Sequence, residues 1–329
     1  MPGGTPAKTA KYCLRQIKRR ALNTAPIVLF AYKRPQHLRR TLDALRSNPS
    51  ARHSELVIFS DAPRTAGDEQ GVDKVRSLCR SVEGFKSVVV IERPSNLGLS
   101  RSIIDGVSSI LKKHDRVIVV EDDLLVSPFF LDYMNEALDI YAEDETVYSI
   151  HGYLFPIRID LPETFFLKGA DCWGWATWSR AWKHFQPDGT LLLDQLASLN
   201  LLSRLDFNGA FDYSGMLKQQ IEGKVDSWAI RWQASVLLRQ GLTLYPGRSL
   251  VRNFGFDDSG THSGETGEFD VILSDTPVRV VRLPLSENPR ALTAFENYYR
   301  SIKPTLLKRL RRRVRKALRR TAAPMSKNP

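Results

Sequence analysis

An α/β fold with a mostly parallel central sheet is predicted by short apolar runs, by the amphipathic segments between them, and by carboxylates at the ends of the runs. The first run, PIVLFAY at 26–32, is continuously apolar, as expected of a strand buried on both faces. Runs of the same kind occupy 56–59, 87–91 and 117–120. Strand–helix–strand repetition at this spacing indicates a doubly wound parallel sheet.

Amphipathic segments separate these strands. The pattern predicts helices at 35–47, 69–80 and 99–112, the first opening on Pro35, which suits the first position of a helix. The second half is less regular and indicates a helical region. There we expect helices at 190–203, 209–222 and 227–240, and strands at 242–245 and 278–283. The predicted organisation is a basic leader at 1–25, a globular domain at 26–302 and a basic tail at 303–329.

The charge of the chain is concentrated at its two ends. The net charge is +12, and of the 48 basic residues 17 lie in 1–20 and 303–329, which leaves 31 against 36 acidic residues in the body. An acidic body with basic ends suits a domain attracted to an anionic surface rather than a nucleic-acid-binding protein. The three cysteines fit neither a disulfide framework nor a zinc motif. With no apolar run of 18 residues, we expect a cytoplasmic protein with peripheral attachment to the membrane.

Three consecutive carboxylates, Glu121, Asp122 and Asp123, follow the VIVV strand directly. Ligands of such sheets bind beyond the carboxyl ends of the strands. Like charges this close repel when buried, and a divalent cation with oxygen ligands relieves the repulsion. The pattern therefore predicts a metal site, the alternative being a solvated acidic turn.

Three other segments lie at the same predicted edge. Asp61 ends the second strand and suits a ribose hydroxyl or a base N–H, or else it is a turn residue. Arg34 follows the first strand and suits a phosphate clamp, or else it is a surface arginine. The turn at 94–101, with Asn96 and Arg101, enters a helix whose N-terminus favours anions, or else it is only structural.

The second half contributes further candidates. The long loop at 254–264 carries Thr261 and His262, and loops of this kind often act as lids; His262 could contact a metal or a diphosphate, or else be a surface histidine. Trp175 lies in a tryptophan-rich segment and either lines a pocket or packs in the core. Asp226 is a candidate general base, whereas the simpler interpretation makes it or Ser227 a helix cap.

Taken in order, these segments resemble bacterial glycosyltransferases of the GT-A fold, similar to family 2, and most of all the N-acetylglucosaminyltransferase I family. The resemblance covers roughly 26–270. It is carried by the Glu-Asp-Asp-Leu at 121–124, the Gly-Trp at 174–175 and the Phe-Gly…Gly-Thr-His-Ser-Gly loop at 254–264. It implies a Rossmann-like nucleotide-binding half at 26–150 and an acceptor-side half at 151–302.

The resemblance also implies roles for individual residues. Asp123, with Asp122, would bind Mn²⁺ or Mg²⁺. The donor, a nucleotide sugar and most simply a UDP-sugar, would contact Arg34, Asp61, Asn96, Arg101, Glu121, Asp122, Trp175, Thr261 and His262. Asp226 would be the catalytic base of an inverting hexosyl transfer to a glycan or lipid-linked acceptor, although the family has two aspartates where this chain has Asp226 and Ser227. Asp171 is the reserve candidate for the base.

The basic tail is the remaining feature. In 303–320 apolar residues recur every four positions among lysines and arginines, a pattern typical of a cationic amphipathic helix on an anionic membrane. No nucleic-acid partner is expected. Two alternatives to a glycosyltransferase stay open: a nucleotidyltransferase that uses the same acidic site, and a non-catalytic sugar- or membrane-binding module.

Overall fold

The computed structural model describes residues 24–257 and 267–303 of the chain. The strands are β1 (Ile27–Ala31), β2 (Glu55–Ser60), β3 (Ser87–Glu92), β4 (Arg116–Glu121), β5 (Leu124–Val126), β6 (Val147–His151), β7 (Thr164–Lys168), β8 (Trp175–Trp178), β9 (Leu242–Pro246) and β10 (Val251–Asn253). The helices are α1 (Pro35–Arg46), α2 (Glu69–Arg80), α3 (Leu99–Leu111), α4 (Phe130–Ile140), α5 (Ser179–Trp182), α6 (Gly189–Ser198), α7 (Leu202–Leu205), α8 (Tyr213–Ile221), α9 (Trp228–Leu238) and α10 (Pro289–Ile302).

One eight-stranded sheet in the order β3-β2-β1-β4-β8-β6-β9-β7 organises the molecule. The four strands from the first half pair in parallel, with β1 between β2 and β4. β8 runs antiparallel to both β4 and β6, and β7 runs antiparallel to β9. The predicted α/β class is confirmed, and its parallel half puts the ends of β1, β2, β3 and β4 at a single edge.

Strands β1, β2 and β4 are buried on both faces, as their apolar runs predicted, whereas β3 lies at the edge of the sheet and leaves Val89 half exposed. Along β1, Ile27 and Leu29 pack into one core, while Val28 and Phe30 pack into a second core on the opposite face. Helix α1 covers the first face, and α3 covers the second. Strands buried on both sides require this three-layer arrangement.

Local capping explains where the helices of the second half differ from prediction. The helix expected at 209–222 begins at Tyr213, because the Asp212 side chain accepts the Gly215 N–H and so fixes its first turn. The helix expected at 190–203 is divided into α6 and α7, with Asn200 between them in the left-handed conformation at φ 56°. The helix expected at 227–240 is present as α9.

The strand expected at 278–283 was predicted wrongly. That segment has no regular secondary structure, although Val278 and Val280 are buried. The Tyr141 hydroxyl donates to the Val281 carbonyl and accepts the Leu283 N–H, so a side chain takes the place of a neighbouring strand. Burial of alternate residues therefore produced a strand-like pattern without a sheet partner.

Three strands of the sheet, β6, β7 and β8, were not predicted. They lie within the aromatic-rich part of the sequence, and aromatic residues do not distinguish core strands from pocket walls. Strand β8 nevertheless joins the two halves, since it hydrogen-bonds to β4 on one side and β6 on the other. In the part of the chain that the structure describes, no helix is both long enough and apolar enough to span a membrane.

Candidate active site

The acidic cluster lies where β4 ends. Glu121 is the last residue of β4, and Asp122 and Asp123 form the turn that leads into β5. Asp122 is only 5% exposed, and its carbonyl accepts the Thr41 hydroxyl of α1 at 2.8 Å. The predicted carboxylates are therefore largely withdrawn from water rather than displayed on a solvated turn.

Arg34 is the counter-charge of this cluster. It lies at the N-cap of α1, directly after β1, and its Nη2 contacts Asp122 Oδ1 at 2.5 Å and Asp123 Oδ2 at 2.9 Å. The second guanidinium nitrogen, Nη1, is buried and has no hydrogen-bond partner among the described residues. A buried N–H donor without a partner is costly, so Nη1 is suited to an incoming anionic oxygen.

The cluster holds more negative charge than Arg34 neutralises. Burial raises the pKa of Glu121, and the Asp123 and Asp122 carboxylates raise it further. Burial also raises the pKa of Asp122, while Arg34 lowers it. Burial would lower the pKa of Arg34, but the two aspartates more than offset this and hold its pKa above the ordinary value. Additional positive charge would be favourable at this site.

The carboxylates of the cluster suit a hard divalent cation whose remaining ligands are waters and substrate oxygens. Within residues 24–257 and 267–303, no group of three or more His, Cys, Asp or Glu side chains converges as a closed metal site. Mg²⁺ and similar ions need only one or two carboxylates, with waters and substrate phosphates as the other ligands. Asp123, with a side chain 18% exposed, and the more buried Asp122 can supply those two.

Asp61 and Asn96 link the segments that follow the neighbouring strands β2 and β3. The buried Asp61 carboxylate accepts the N–H groups of Leu97 and Gly98 at 2.9 and 3.0 Å, and Asn96 donates its amide to the Ala62 carbonyl at 2.7 Å. Both side chains thus fix the turn after β3. The structural interpretation of this turn accounts for these contacts, and direct contact of either side chain with a donor stays a prediction.

Asp226 and Arg101 border one cleft of about 520 Å³ beside the first turn of α3. The Asp226 side chain is 62% exposed, and its Oδ1 lies 3.7 Å from Arg231 Nη2. The neighbouring Ser227, rather than Asp226, caps α9 by accepting the Ile230 N–H. Asp226 is therefore free of the capping role and faces an open cleft.

Trp175 belongs to the core. Its side chain is fully buried, stacked on Trp228 with ring centroids 5.3 Å apart and tilted against Trp182 and Trp232. The position favours the packing interpretation, since the indole does not form a pocket wall. Strand β8 pairs Trp175 with Val119, so this core directly supports the strand that ends in Glu121.

Asp171 lies beside Cys172 and the buried His151. Its Oδ1 accepts the Cys172 N–H, and its Oδ2 lies 3.8 Å from Nε2 of the buried His151. Burial raises the pKa of the Cys172 thiol, and the charges of Asp171, Glu121 and Asp123 raise it further. Cys172 therefore lies within the field of both Asp171 and the cluster, which places the reserve base near the site.

The start of the loop at 254–264 reaches the cluster. The Phe254 N–H donates to the Asp123 carbonyl at 3.0 Å, and the Phe254 ring stacks on His37 and lies under Arg40. Thr261 and His262 lie outside the described residues, so their predicted contacts remain predictions.

Sequence reasoning missed Thr41, His37 and Arg40, all on α1. Thr41 had a usable signal, because it is a polar residue on the otherwise apolar face formed by Leu38, Leu42 and Leu45. His37 and Arg40 lie on the polar face of an amphipathic helix, where such residues are ordinary. Only the fold brings Phe254 to that face.

The fold and the site together define a class: a mixed α/β protein with an arginine-paired carboxylate cluster at the carboxyl ends of parallel strands, the usual position of a nucleotide site in such sheets. The GNT-I family matches residues 5–154, slightly less than half of the chain. The resemblance to the N-acetylglucosaminyltransferase I family is thereby confirmed for the half that carries the acidic cluster.

A curated relative agrees with this match. The chain is 28% identical over 142 residues to the alpha-1,3-mannosyl-glycoprotein 2-beta-N-acetylglucosaminyltransferase of Arabidopsis thaliana. The match covers 39% of this chain and 31% of the relative, so the chain spans about a third of that protein's length.

Solved structures give weaker matches. The mannosyltransferase PcManGT of Pyrobaculum calidifontis, in complex with GDP-Man and Mn²⁺, is 14% identical with a TM-score of 0.28, covering 42% of this chain and 41% of its own. The glucosyl-3-phosphoglycerate synthase of Mycobacterium tuberculosis, in complex with Mn²⁺, UDP-glucose and phosphoglyceric acid, is 12% identical with a TM-score of 0.34, covering 60% and 71%. Similarity at this level carries no conclusion about ligands.

Proposed function

We propose that the protein is a glycosyltransferase that moves a sugar from a nucleotide-sugar donor, a UDP-sugar, to a hydroxyl of a glycan or lipid-linked acceptor. The observation that carries the proposal is the pairing of Arg34 with Asp122 and Asp123, which leaves a buried, unpartnered Nη1 beside two carboxylates. A divalent cation held by those carboxylates and a diphosphate bound by Nη1 would satisfy both groups. The GNT-I family match over 5–154 and the N-acetylglucosaminyl transfer in the relative's name support a sugar donor.

Each part of the site then has a task. Asp123 and Asp122 would hold Mn²⁺ or Mg²⁺, which would supply positive charge beside the departing diphosphate. Arg34 Nη1 donates to a phosphate oxygen. Glu121 accepts from donor hydroxyls, and Asp61 fixes the turn that borders the donor. This arrangement needs no acid to protonate the leaving group.

Asp226 is proposed as the general base that removes the proton of the acceptor hydroxyl. Its exposed carboxylate, which lines the cleft, is accessible to a large acceptor, whereas Asp171 is only 18% exposed beside His151. Transfer with inversion follows if the deprotonated hydroxyl attacks the anomeric carbon from the side opposite the diphosphate. Once the acceptor is identified, the kcat values of Asp226→Asn and Asp171→Asn should be compared, to test which aspartate is the base.

Binding of UDP, UDP-sugars and GDP-mannose, measured by calorimetry with and without Mn²⁺, tests the donor site. We expect Mn²⁺-dependent binding of a uridine nucleotide that Asp123→Asn weakens at least a hundredfold. Asp43→Asn, an exposed aspartate on the solvent side of α1, is the matched control and should bind as the wild type does.

The outcomes separate the competing functions. A folded protein that binds none of these nucleotides would overturn the proposal and favour a non-catalytic module. Release of pyrophosphate from a nucleoside triphosphate and a sugar phosphate, without sugar transfer, would identify a nucleotidyltransferase instead.

A further inference from the structure

The first residues of the 254–264 loop are held by helix α1. The Phe254 and His37 rings stack with centroids 5.0 Å apart and planes 10° apart, and the Arg40 guanidinium carbon lies 4.1 Å from the Phe254 centroid. His37 Nε2 lies 3.0 Å from Asp257 Oδ2. We call these four residues, His37, Arg40, Phe254 and Asp257, the α1 clasp. A ring held by a stacked imidazole and a guanidinium has a defined position.

The clasp also fixes Asp123. Besides the bond from the Phe254 N–H to the Asp123 carbonyl, Gly255 packs directly against the Asp123 side chain. A Cβ at position 255 would lie 2.2 Å from Asp123 Oδ2, far inside any allowed contact. The Gly255 N–H is itself bound by Asn253 Oδ1 at 2.8 Å, at the end of β10. Gly255 and Arg34 both lie against Asp123 Oδ2, and together they restrict the orientation of this carboxylate.

We propose that the α1 clasp is a positioning device for the Asp123 carboxylate. His37, Arg40 and Phe254 act on Asp123 through Gly255; this inference rests on the proposed function, in which Asp123 is a metal ligand. Groups that orient a metal ligand typically change metal affinity by about 10- to 100-fold when they are removed. Because α1 begins at Arg34, a single helix supplies both the counter-charge of the cluster and the anchor of the loop.

Mn²⁺ affinity, measured by electron paramagnetic resonance on the full chain with UDP present, tests the clasp. Phe254→Ala should raise the Mn²⁺ dissociation constant about 10-fold or more, and Arg40→Ala should raise it less. Phe254→Tyr, which keeps a stacking ring, should restore the wild-type value. Arg39→Ala is the matched control, since Arg39 is an exposed arginine on the same helix that faces the groove toward α2.

Amide hydrogen exchange of the metal-free protein gives an independent readout. The Phe254 amide should exchange about threefold faster in Arg40→Ala than in wild type, because removing the cation–π contact loosens the segment, while Arg39→Ala should leave it unchanged. Melting temperatures of all variants establish that they are folded.

The failures of the two proposals are distinguishable. A wild type that binds neither Mn²⁺ nor nucleotide would overturn the proposed function. The clasp alone would be overturned if the wild type binds both Mn²⁺ and nucleotide, Phe254→Ala binds Mn²⁺ as tightly as the wild type does, and the Phe254 amide of Arg40→Ala exchanges at the wild-type rate.

Discussion

Arg34 decides whether the acidic cluster is stable. Its Nη2 is shared between Asp122 and Asp123, and its side chain is only 18% exposed. Removing one partner of a buried ion pair leaves the other charge uncompensated, at a cost of several kcal/mol.

We therefore expect Arg34→Met to lower the free energy of unfolding by about 3 kcal/mol, measured by urea denaturation without metal. The double variant Arg34→Met/Asp122→Leu should recover part of the loss, since it also removes one of the stranded charges. A single variant within 0.5 kcal/mol of wild type would contradict the assigned role.

His151 makes the stability of the protein depend on pH. Burial lowers its pKa from 6.5 to about 4, while the charge of Asp171 acts in the opposite direction. Because the folded-state pKa is below the unfolded one, the stabilising contribution is complete above pH 6.5 and is lost as the pH falls from 6.5 toward 4.

We expect the titration of His151 to lower the free energy of unfolding by about 3 kcal/mol between pH 7 and pH 4, given about 1.4 kcal/mol per pKa unit. His151→Gln removes the titration, so its unfolding free energy should fall less steeply over that window. Denaturant unfolding at several pH values measures both slopes, and parallel curves would refute the assignment.

At the scale of elements, α3 approaches the sheet closely through Gly106. A Cβ there would lie 2.6 Å from the Phe30 ring and 3.2 Å from the Phe59 ring, which stack on each other in β1 and β2. The helix that borders the cleft therefore depends on a missing side chain for its distance from the sheet.

Gly106→Val should lower the free energy of unfolding by about 2 kcal/mol, because overpacking a filled core forces the rings or the helix to move. Gly67→Val is the matched control: position 67 is exposed and its nearest neighbour to a new Cβ is 3.7 Å away. Thermal and urea unfolding measure both, and equal losses would show that α3 has room to shift.

At the scale of the whole molecule, the charge is divided between a basic tail and an acidic body. Residues 304–329 lie outside the described part of the structure, and attachment to an anionic membrane through 303–320 is our proposal from the sequence. An amphipathic helix binds through its apolar face as well as its charges.

Full-length protein should therefore cosediment with vesicles that contain anionic phospholipid, and high salt should weaken the binding. Replacing Leu306, Leu310, Val314 and Leu318 by serine keeps every charge and should weaken it strongly. Unchanged binding of that variant would show that the tail binds vesicles through its charge alone, as any polycation does.

The elements between residues 26 and 121 were predictable to within a residue or two, because each strand there is a mostly apolar run and each helix is amphipathic, whereas β5 and α4, which follow the acidic cluster, were not predicted. The same order placed Arg34 and the Glu121–Asp123 cluster at strand ends, so the composition of the candidate site followed from sequence order. The sequence could not show that 278–283 forms no strand or that Trp175 packs in the core. An apolar or aromatic residue gives the same sequence pattern whether it is buried against a strand, against a side chain or within the core.

The sequence by itself determined the parallel half of the sheet and the acidic site at its edge, since local hydrophobic periodicity and strand ends are local properties. Only the tertiary structure decided that β8 inserts antiparallel beside β4, that Asp61 holds a turn, and that Phe254 reaches α1 more than 200 residues earlier in the chain. These contacts join distant segments through sheet order and loop path, which no local pattern encodes.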